Sequence, residues 1–233
     1  MRSTLPLALF GLCCACGAAA AGPPLFSAAG LQGWEPESML NRKRTQYDVV
    51  EDGGVQVVAA RCDDSASMIG WAGTVDLQRE PILDWRWKVE QLYPGLDERV
   101  KGGSDFPARL YVVTGKRWLP WSLKTLIYVW SNGEIKAASW TSPYSGAMGD
   151  AVIVPVRSGA EGVGQWREER RDVRADFKQF YGLDVDKIGA VALMTDCDDA
   201  HRRGRAWYGD VHFLPRPENR AQIVAPAAAS PTD

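Results

Sequence analysis

Trp85-Arg86-Trp87-Lys88-Val89 alternates apolar and charged residues without a break. That period of two commits the segment to a half-buried β-strand, with Trp85, Trp87 and Val89 on one side and Arg86 and Lys88 on the other. The same grammar recurs in short runs along the chain. Tyr47–Val50 and Val55–Ala60 flank Glu51-Asp52-Gly53-Gly54 and read as a hairpin, because consecutive glycines supply the positive φ angles of a tight turn. Further strands are expected at 68–75, 109–113, 126–130, 152–156, 188–195 and 207–213, with Pro155 arguing for an edge or a strand end. The stretch 93–107, with Pro94, Gly95, Gly102, Gly103 and Pro107, reads as a loop. One helix is expected at 172–181, where Val173, Phe177 and Phe180 follow helical spacing and Gly182 supplies the stop. Many short strands, one late helix and no βαβ alternation predict a two-sheet antiparallel β-sandwich of jelly-roll type, with a closed barrel as the alternative.

Composition sets the outer bounds. A net charge of −2 carries no basic field for nucleic acid, and 45% hydrophobic residues exclude wholesale disorder. Arg2, the apolar run Leu5–Cys14 and the small residues Ala19-Ala20-Ala21 read as a secretory signal over 1–21. A single domain is expected over 22–215 and a Pro/Ala-rich disordered tail over 216–233, with no transmembrane segment. The protein is thus expected to be soluble and periplasmic or secreted. Cys13, Cys14 and Cys16 fall within the signal, leaving Cys62 and Cys197 as either one disulfide or two separate buried thiols.

Several motifs occur in a fixed order: Pro81-Ile82-Leu83 before Trp85–Val89, then Ala108–Val112, then Trp166 with Glu168–Val173, Val191–Asp196 and Ala206–Val211. Together they resemble the bacterial exported family known as domain of unknown function 3047, over roughly 40–214. Tyr208–Phe213 is also similar to the last strand of galactose-binding-like jelly rolls, the fold of many carbohydrate-binding modules, and that resemblance implies a structural role for Asp210 near a calcium ion. Where the family has a Thr-Asp-Thr-Asp-Asn run, this chain has Thr195-Asp196-Cys197-Asp198-Asp199. Neither resemblance supplies a catalytic residue.

The residues themselves offer four candidate sites. Arg86, Lys88, Arg109, Asp196 and Asp210, if their strand faces lie on one sheet, form a polar patch suited to sugar hydroxyls; the competing reading is a solvated face of internal ion pairs. Trp118 and Trp121, with Trp140 and Tyr144 nearby, are either stacking platforms on a loop or plugs at the end of the core. Asp196, Asp198 and Asp199 form an acidic cluster that reads as a solvated turn in preference to a calcium loop, because EF-hand spacing is missing. Asp105 paired with Asp196 or Asp210 meets the minimal requirement for glycoside hydrolysis, but no nucleophile, metal or phosphate motif accompanies the pair. Glu168–Asp172 reads as a charged cap before the helix.

The preferred expectation is therefore a non-catalytic module without a cofactor that binds a carbohydrate or other cell-envelope ligand. A glycan-acting enzyme and a protein–protein interaction module are the alternatives.

Overall fold

The computed structural model describes residues 24–27, 31, 33–39, 41–116, 118–133, 137–146 and 149–217. The expected signal over 1–21 and all but the start of the expected tail lie outside these residues. Among these residues twelve strands build two stacked sheets, with one α-helix beside them. In chain order the strands are β1 (Trp34–Ser38), β2 (Gln46–Asp52), β3 (Val55–Asp63), β4 (Ala66–Asp76), β5 (Ile82–Val89) and β6 (Ala108–Thr114). They continue with β7 (Lys124–Ser131), β8 (Trp140–Thr141), β9 (Asp150–Ser158), β10 (Arg167–Asp172), β11 (Lys187–Asp196) and β12 (Arg203–Leu214), and α1 (Val173–Tyr181) follows β10. The larger sheet has the order β1-β4-β11-β6-β7-β9-β8, and the smaller β10-β5-β12-β3-β2. Each ends in free edges, so the body is an open sandwich and not a closed barrel. Pairing is antiparallel except between β7 and β9, which run parallel.

The core follows from the alternation. Trp85, Trp87 and Val89 of β5 all point between the sheets and are buried. Trp85 meets Tyr128 of β7 at 5.6 Å between ring centroids, and Trp87 meets Trp130 at 6.2 Å. Such aromatic pairs contribute about 0.5–1.5 kcal/mol beyond the area they bury. The β2–β3 hairpin turns at Gly53 and Gly54, with φ of 63° and 80°, the positive pair that a two-residue turn between twisted strands demands. Pro155 sits in β9 beyond the two residues that β8 pairs, Val152 and Ile153, so its missing N–H leaves no edge bond broken. Asp172 caps α1 by accepting the Ala175 amide at 3.0 Å, and Val173 and Phe177 bury its inner face.

Two expectations need correction. Glu168–Asp172 is not a helix cap alone: residues 167–172 form β10, an edge strand paired with β5. Its composition, Arg-Glu-Glu-Arg-Arg-Asp, hides it from any hydrophobic pattern. The inward-pointing charges are satisfied in pairs, Glu169 by Arg157 and the Trp87 indole, and Arg171 by Asp176 at the head of α1. Charges of this kind on an edge discourage pairing with a second chain. Asp210, moreover, which strict alternation along 207–213 would put on one face with Tyr208 and His212, does not share a face with Tyr208. A bulge between Tyr208 and Val211 changes the parity of β12, so Tyr208 and Val211 are both buried while Gly209 and Asp210 fill the irregularity. At the other end of the chain, Arg216 pairs with Asp172 at 2.7 Å, so ordered contacts pass the expected start of the tail.

Cys62 at the end of β3 and Cys197 just after β11 are joined in a disulfide, with Cα atoms 6.1 Å apart. It links the two sheets across 135 residues of chain. In the chain-entropy account a loop of that length stabilises the fold by about 5 kcal/mol. The Cys62→Ser, Cys197→Ser double variant is expected to lose about 4–5 kcal/mol in urea unfolding with a raised m-value, because the unbridged unfolded chain is less compact; a loss below about 1 kcal/mol would remove the bridge from the stabilising framework.

Candidate functional site

The residues expected to form one polar patch lie on opposite outer surfaces of the sandwich. Arg86 and Lys88 face out from the five-stranded sheet, with Asp210 in the bulge beside Arg86. Arg109 and Asp196 belong to β6 and β11 of the seven-stranded sheet, whose β6–β7 connection carries Trp118 and Trp121. Alternation correctly sets the polar side of β5, with Arg86 and Lys88 opposite Trp85, Trp87 and Val89. It says nothing about which sheet that strand joins, and there the expected convergence fails.

On the five-stranded sheet the charges satisfy one another. Lys88 donates to Asp52 at 2.5 Å and lies 4.3 Å from the centre of the Trp207 ring. The Trp166 indole donates to the same Asp52 carboxylate at 2.7 Å, and the Arg86 guanidinium stacks 4.8 Å above Trp166. Arg170 and Asp84 pair at 2.6 Å further along. Lys88, Arg86, Asp52, Trp166 and Trp207 thus form one lattice of cation–π and ion-pair contacts, the arrangement expected of a structural face.

At the opposite surface, Arg109 and Asp196 form a buried pair, only 4% and 3% exposed. Arg109 Nε donates to Asp196 Oδ1 at 2.9 Å, and Nη2 donates both to Asp196 Oδ2 and to the Ser104 carbonyl. Nη1 reaches the Tyr111 hydroxyl at 3.2 Å, and the guanidinium lies 4.6 Å from the centre of the Phe106 ring. Asp196 Oδ1 also accepts the Phe106 amide at 3.1 Å. The pair therefore pins the 93–107 loop to β6 and β11. Glu98, buried in the same loop, does the equivalent at β7: it accepts from Ser131 Oγ at 2.6 Å, from the Asn132 amide at 2.6 Å and from Asn132 Nδ2 at 2.9 Å. No spacing in the sequence signals Glu98 or Asn132, because they meet across 34 residues of chain.

Asp198 is also buried, and Asp105 is fully enclosed, so the acidic segment after β11 is not a solvated turn. Carboxylate oxygens of Asp105, Asp196 and Asp198 approach within 4.8 Å of one another. Asp199 lies at the margin, where its Oδ2 accepts the Tyr144 hydroxyl at 3.4 Å, and Arg42 pairs with Asp198 at 2.9 Å. Burial pushes the Asp105 carboxyl up to about 6, against the opposing pull of the Ala200 amide and Arg109. For Asp196 burial again pushes upward and the Arg109 guanidinium pulls back, while Asp105 and Asp198 repel a second negative charge. Asp210 takes no part in this cluster.

Trp118 and Trp121 are 75% and 66% exposed, so they are not core plugs. The described residues around them are nonetheless tied together. Ser122 Oγ accepts the Lys116 amide at 2.9 Å and donates to the Leu119 carbonyl at 2.8 Å, and Pro120–Ser122 form a 3₁₀ turn. Gly115 has φ of 109°, and any Cβ there would lie 2.5 Å from the Ser122 carbonyl oxygen. Lys116 Nζ lies 5.3 Å from the Trp118 ring centre. Trp140, by contrast, is half-buried against Phe106, with ring centroids 6.5 Å apart. From Arg109 to Thr114 the strand rises about 17 Å, so the indoles and the acidic cluster occupy opposite ends of β6.

Over residues 32–212 the sequence matches the family described as "Protein of unknown function (DUF3047)". The chain belongs to that family. No curated protein sequence matches it. Among solved structures it is similar to the xyloglucanase domain of NopAA, a type three effector from Sinorhizobium fredii, in complex with cellobiose. There the identity is 8%, the TM-score 0.45, and the match covers 78% of this chain and 93% of that one. TmCBM61 in complex with β-1,4-galactotriose aligns at 9% identity and TM-score 0.36 over 83% and 99% of the two chains. The Trichoderma harzianum endoglucanase 3 from family GH12 aligns at 7% identity and TM-score 0.40 over 80% and 91%.

Removing one partner from a buried ion pair leaves the other charge desolvated, at a cost of about 3–5 kcal/mol. Arg109→Ala is therefore expected to lower the melting temperature by roughly 10 °C. A calorimetric scan superimposable on that of the wild type would show that the pair does not hold this end together.

Proposed function

We propose that this family member binds a carbohydrate chain without chemistry, using Trp118 and Trp121 as stacking platforms. The observation that carries the reading is a pair of highly exposed indoles on a loop that its own hydrogen bonds hold in shape. Exposing two large aromatic side chains to water is unfavourable for folding alone. Fixing their loop in advance reduces the ordering cost of binding. Indole faces stack on the apolar faces of pyranose rings, and Lys116 and Ser122 bring polar groups to the same loop.

The charged residues legible in the sequence take supporting places in this reading. Arg86 and Lys88 are committed to Asp52, Trp166 and Trp207, and Arg109 and Asp196 to each other. Asp105 and Asp196 are enclosed, and Asp196 is bonded through both oxygens, which disfavours the pair as the acid and base of a glycosidase. The disulfide and the signal-like residues 1–21 support placement in the periplasm or outside the cell, where envelope glycans are found.

Affinity electrophoresis against a panel of soluble polysaccharides and peptidoglycan fragments tests the proposal. Wild type is expected to be retarded by at least one glycan without releasing reducing ends. Trp118→Ala and Trp121→Ala should each weaken that retardation about tenfold at unchanged melting temperature, a loss of about 1.4 kcal/mol. Equal retardation of the wild type and both variants would contradict the platform, and release of reducing ends would favour the enzyme.

A further inference from the structure

At the end of the sandwich remote from the two indoles, three acids face one another out of water. Carboxylates gathered in this way repel, and each needs a proton, a cationic side chain or a metal ion beside it. Arg109 serves Asp196, and Arg42 serves Asp198 from the margin. Asp105 has no such partner. Its Oδ2 accepts the Ala200 amide at 2.6 Å, while Oδ1 is buried without a hydrogen-bond donor. The hydroxyl of the preceding residue, Ser104, is likewise buried and without a partner.

We infer that Asp105, Asp196 and Asp198 form a binding site for a hard divalent cation, calcium by the chemistry of the donor set, with Asp105 Oδ1 as its principal ligand. All the donors are oxygens, and no thiolate or imidazole joins the cluster. That selects against zinc and copper. Calcium accepts six to eight oxygens in irregular geometry, whereas magnesium insists on a strict octahedron.

The count of lone pairs agrees. A carboxylate offers about four acceptor positions. Asp196 commits three, to Arg109 Nε, Arg109 Nη2 and the Phe106 amide. Asp105 commits one to the Ala200 amide, and Asp198 pairs with Arg42 through Oδ2. Ligating capacity is therefore concentrated on Asp105 and Asp198, while Arg109 fixes Asp196 in place. With Asp199 included, four acids meet two arginines, which leaves room for two positive charges.

The disulfide places Cys197 between two of the ligands and ties that segment to β3. The site is thus largely formed before a cation enters. Bound calcium would join the 93–107 loop, through Asp105, to the turn after β11. The alternative is a proton held on Asp105, toward which its raised pKa leans. A proton and a metal predict opposite responses to replacement of Asp105 by its amide.

Isothermal titration of the disulfide-intact protein with calcium chloride, beside thermal scans in calcium and in EDTA, decides between them. Saturable binding of one ion is expected. The melting temperature should rise by roughly 5–10 °C when calcium exceeds Kd about 100-fold, and EDTA should reverse the rise. Asp105→Asn should weaken calcium binding at least tenfold, and Asp198→Asn provides the same reading if the first variant does not fold. Absence of binding heat together with identical melting in millimolar calcium, magnesium and EDTA would overturn the inference. So would calcium binding that both variants retain at full affinity.

Discussion

The buried contact between Arg109 and Asp196 organises one end of this molecule. It joins adjacent strands of the seven-stranded sheet, β6 and β11, and through Ser104 and Phe106 it fastens a long loop that has no regular hydrogen-bond ladder of its own. A guanidinium and a carboxylate shielded from water stabilise a fold only when their remaining hydrogen-bonding positions are also filled. Here the Tyr111 hydroxyl, the Ser104 carbonyl and the Phe106 amide supply those partners. Glu98 repeats the device at β7 with Ser131 and Asn132. The polar groups at this end are therefore architecture, and the acids they gather are held close as a consequence.

The two sheets divide the remaining work. Between them, Trp85, Trp87, Tyr128 and Trp130 fill the centre with large rings, and the Cys62–Cys197 bridge limits separation at the acidic end. A polar seam lies beside the bridge: Thr45 Oγ1 donates to the Thr195 carbonyl, Tyr47 to the Ser67 carbonyl and Tyr208 to the Met194 carbonyl. These bonds run between sheets that apolar contact alone would leave free to slide. Against so rigid a body, the exposed indoles of the β6–β7 loop are the part whose form its own packing does not require.

Much of this architecture is readable from the chain. Strict alternation in Trp85–Val89, the Gly53-Gly54 turn and the Asp172/Gly182 boundaries of the helix each follow from local physics, and each stands where expected. What local physics omits is equally specific. β10 carries no apolar residue, so its strand character appears only through its pairing with β5. The bulge at 209–210 reverses the parity on which the placement of Asp210 rested. Side chains two apart share a side of their own strand, yet Arg86 and Arg109 lie on opposite surfaces because strand order is a long-range property. For the site, Trp118 and Trp121 stand out in sequence as loop aromatics, whereas Asp105 stands there only as one possible partner of Asp196 or Asp210, and its enclosure beside Asp196 and Asp198, some ninety positions later, appears only on folding.

If the β6–β7 loop recognises the ligand, as proposed, its indoles and not the charged strand faces should respond to binding. Each of the ten tryptophans has an indole N–H that reports separately in a proton–nitrogen correlation spectrum. Titration with a glycan fragment that the protein retains, with assignments from single Trp→Phe variants, should shift the resonances of Trp118 and Trp121 and leave Trp166 and Trp207 in place. Shifts confined to Trp166 and Trp207, with the loop indoles unmoved, would transfer recognition to the five-stranded sheet and contradict the account.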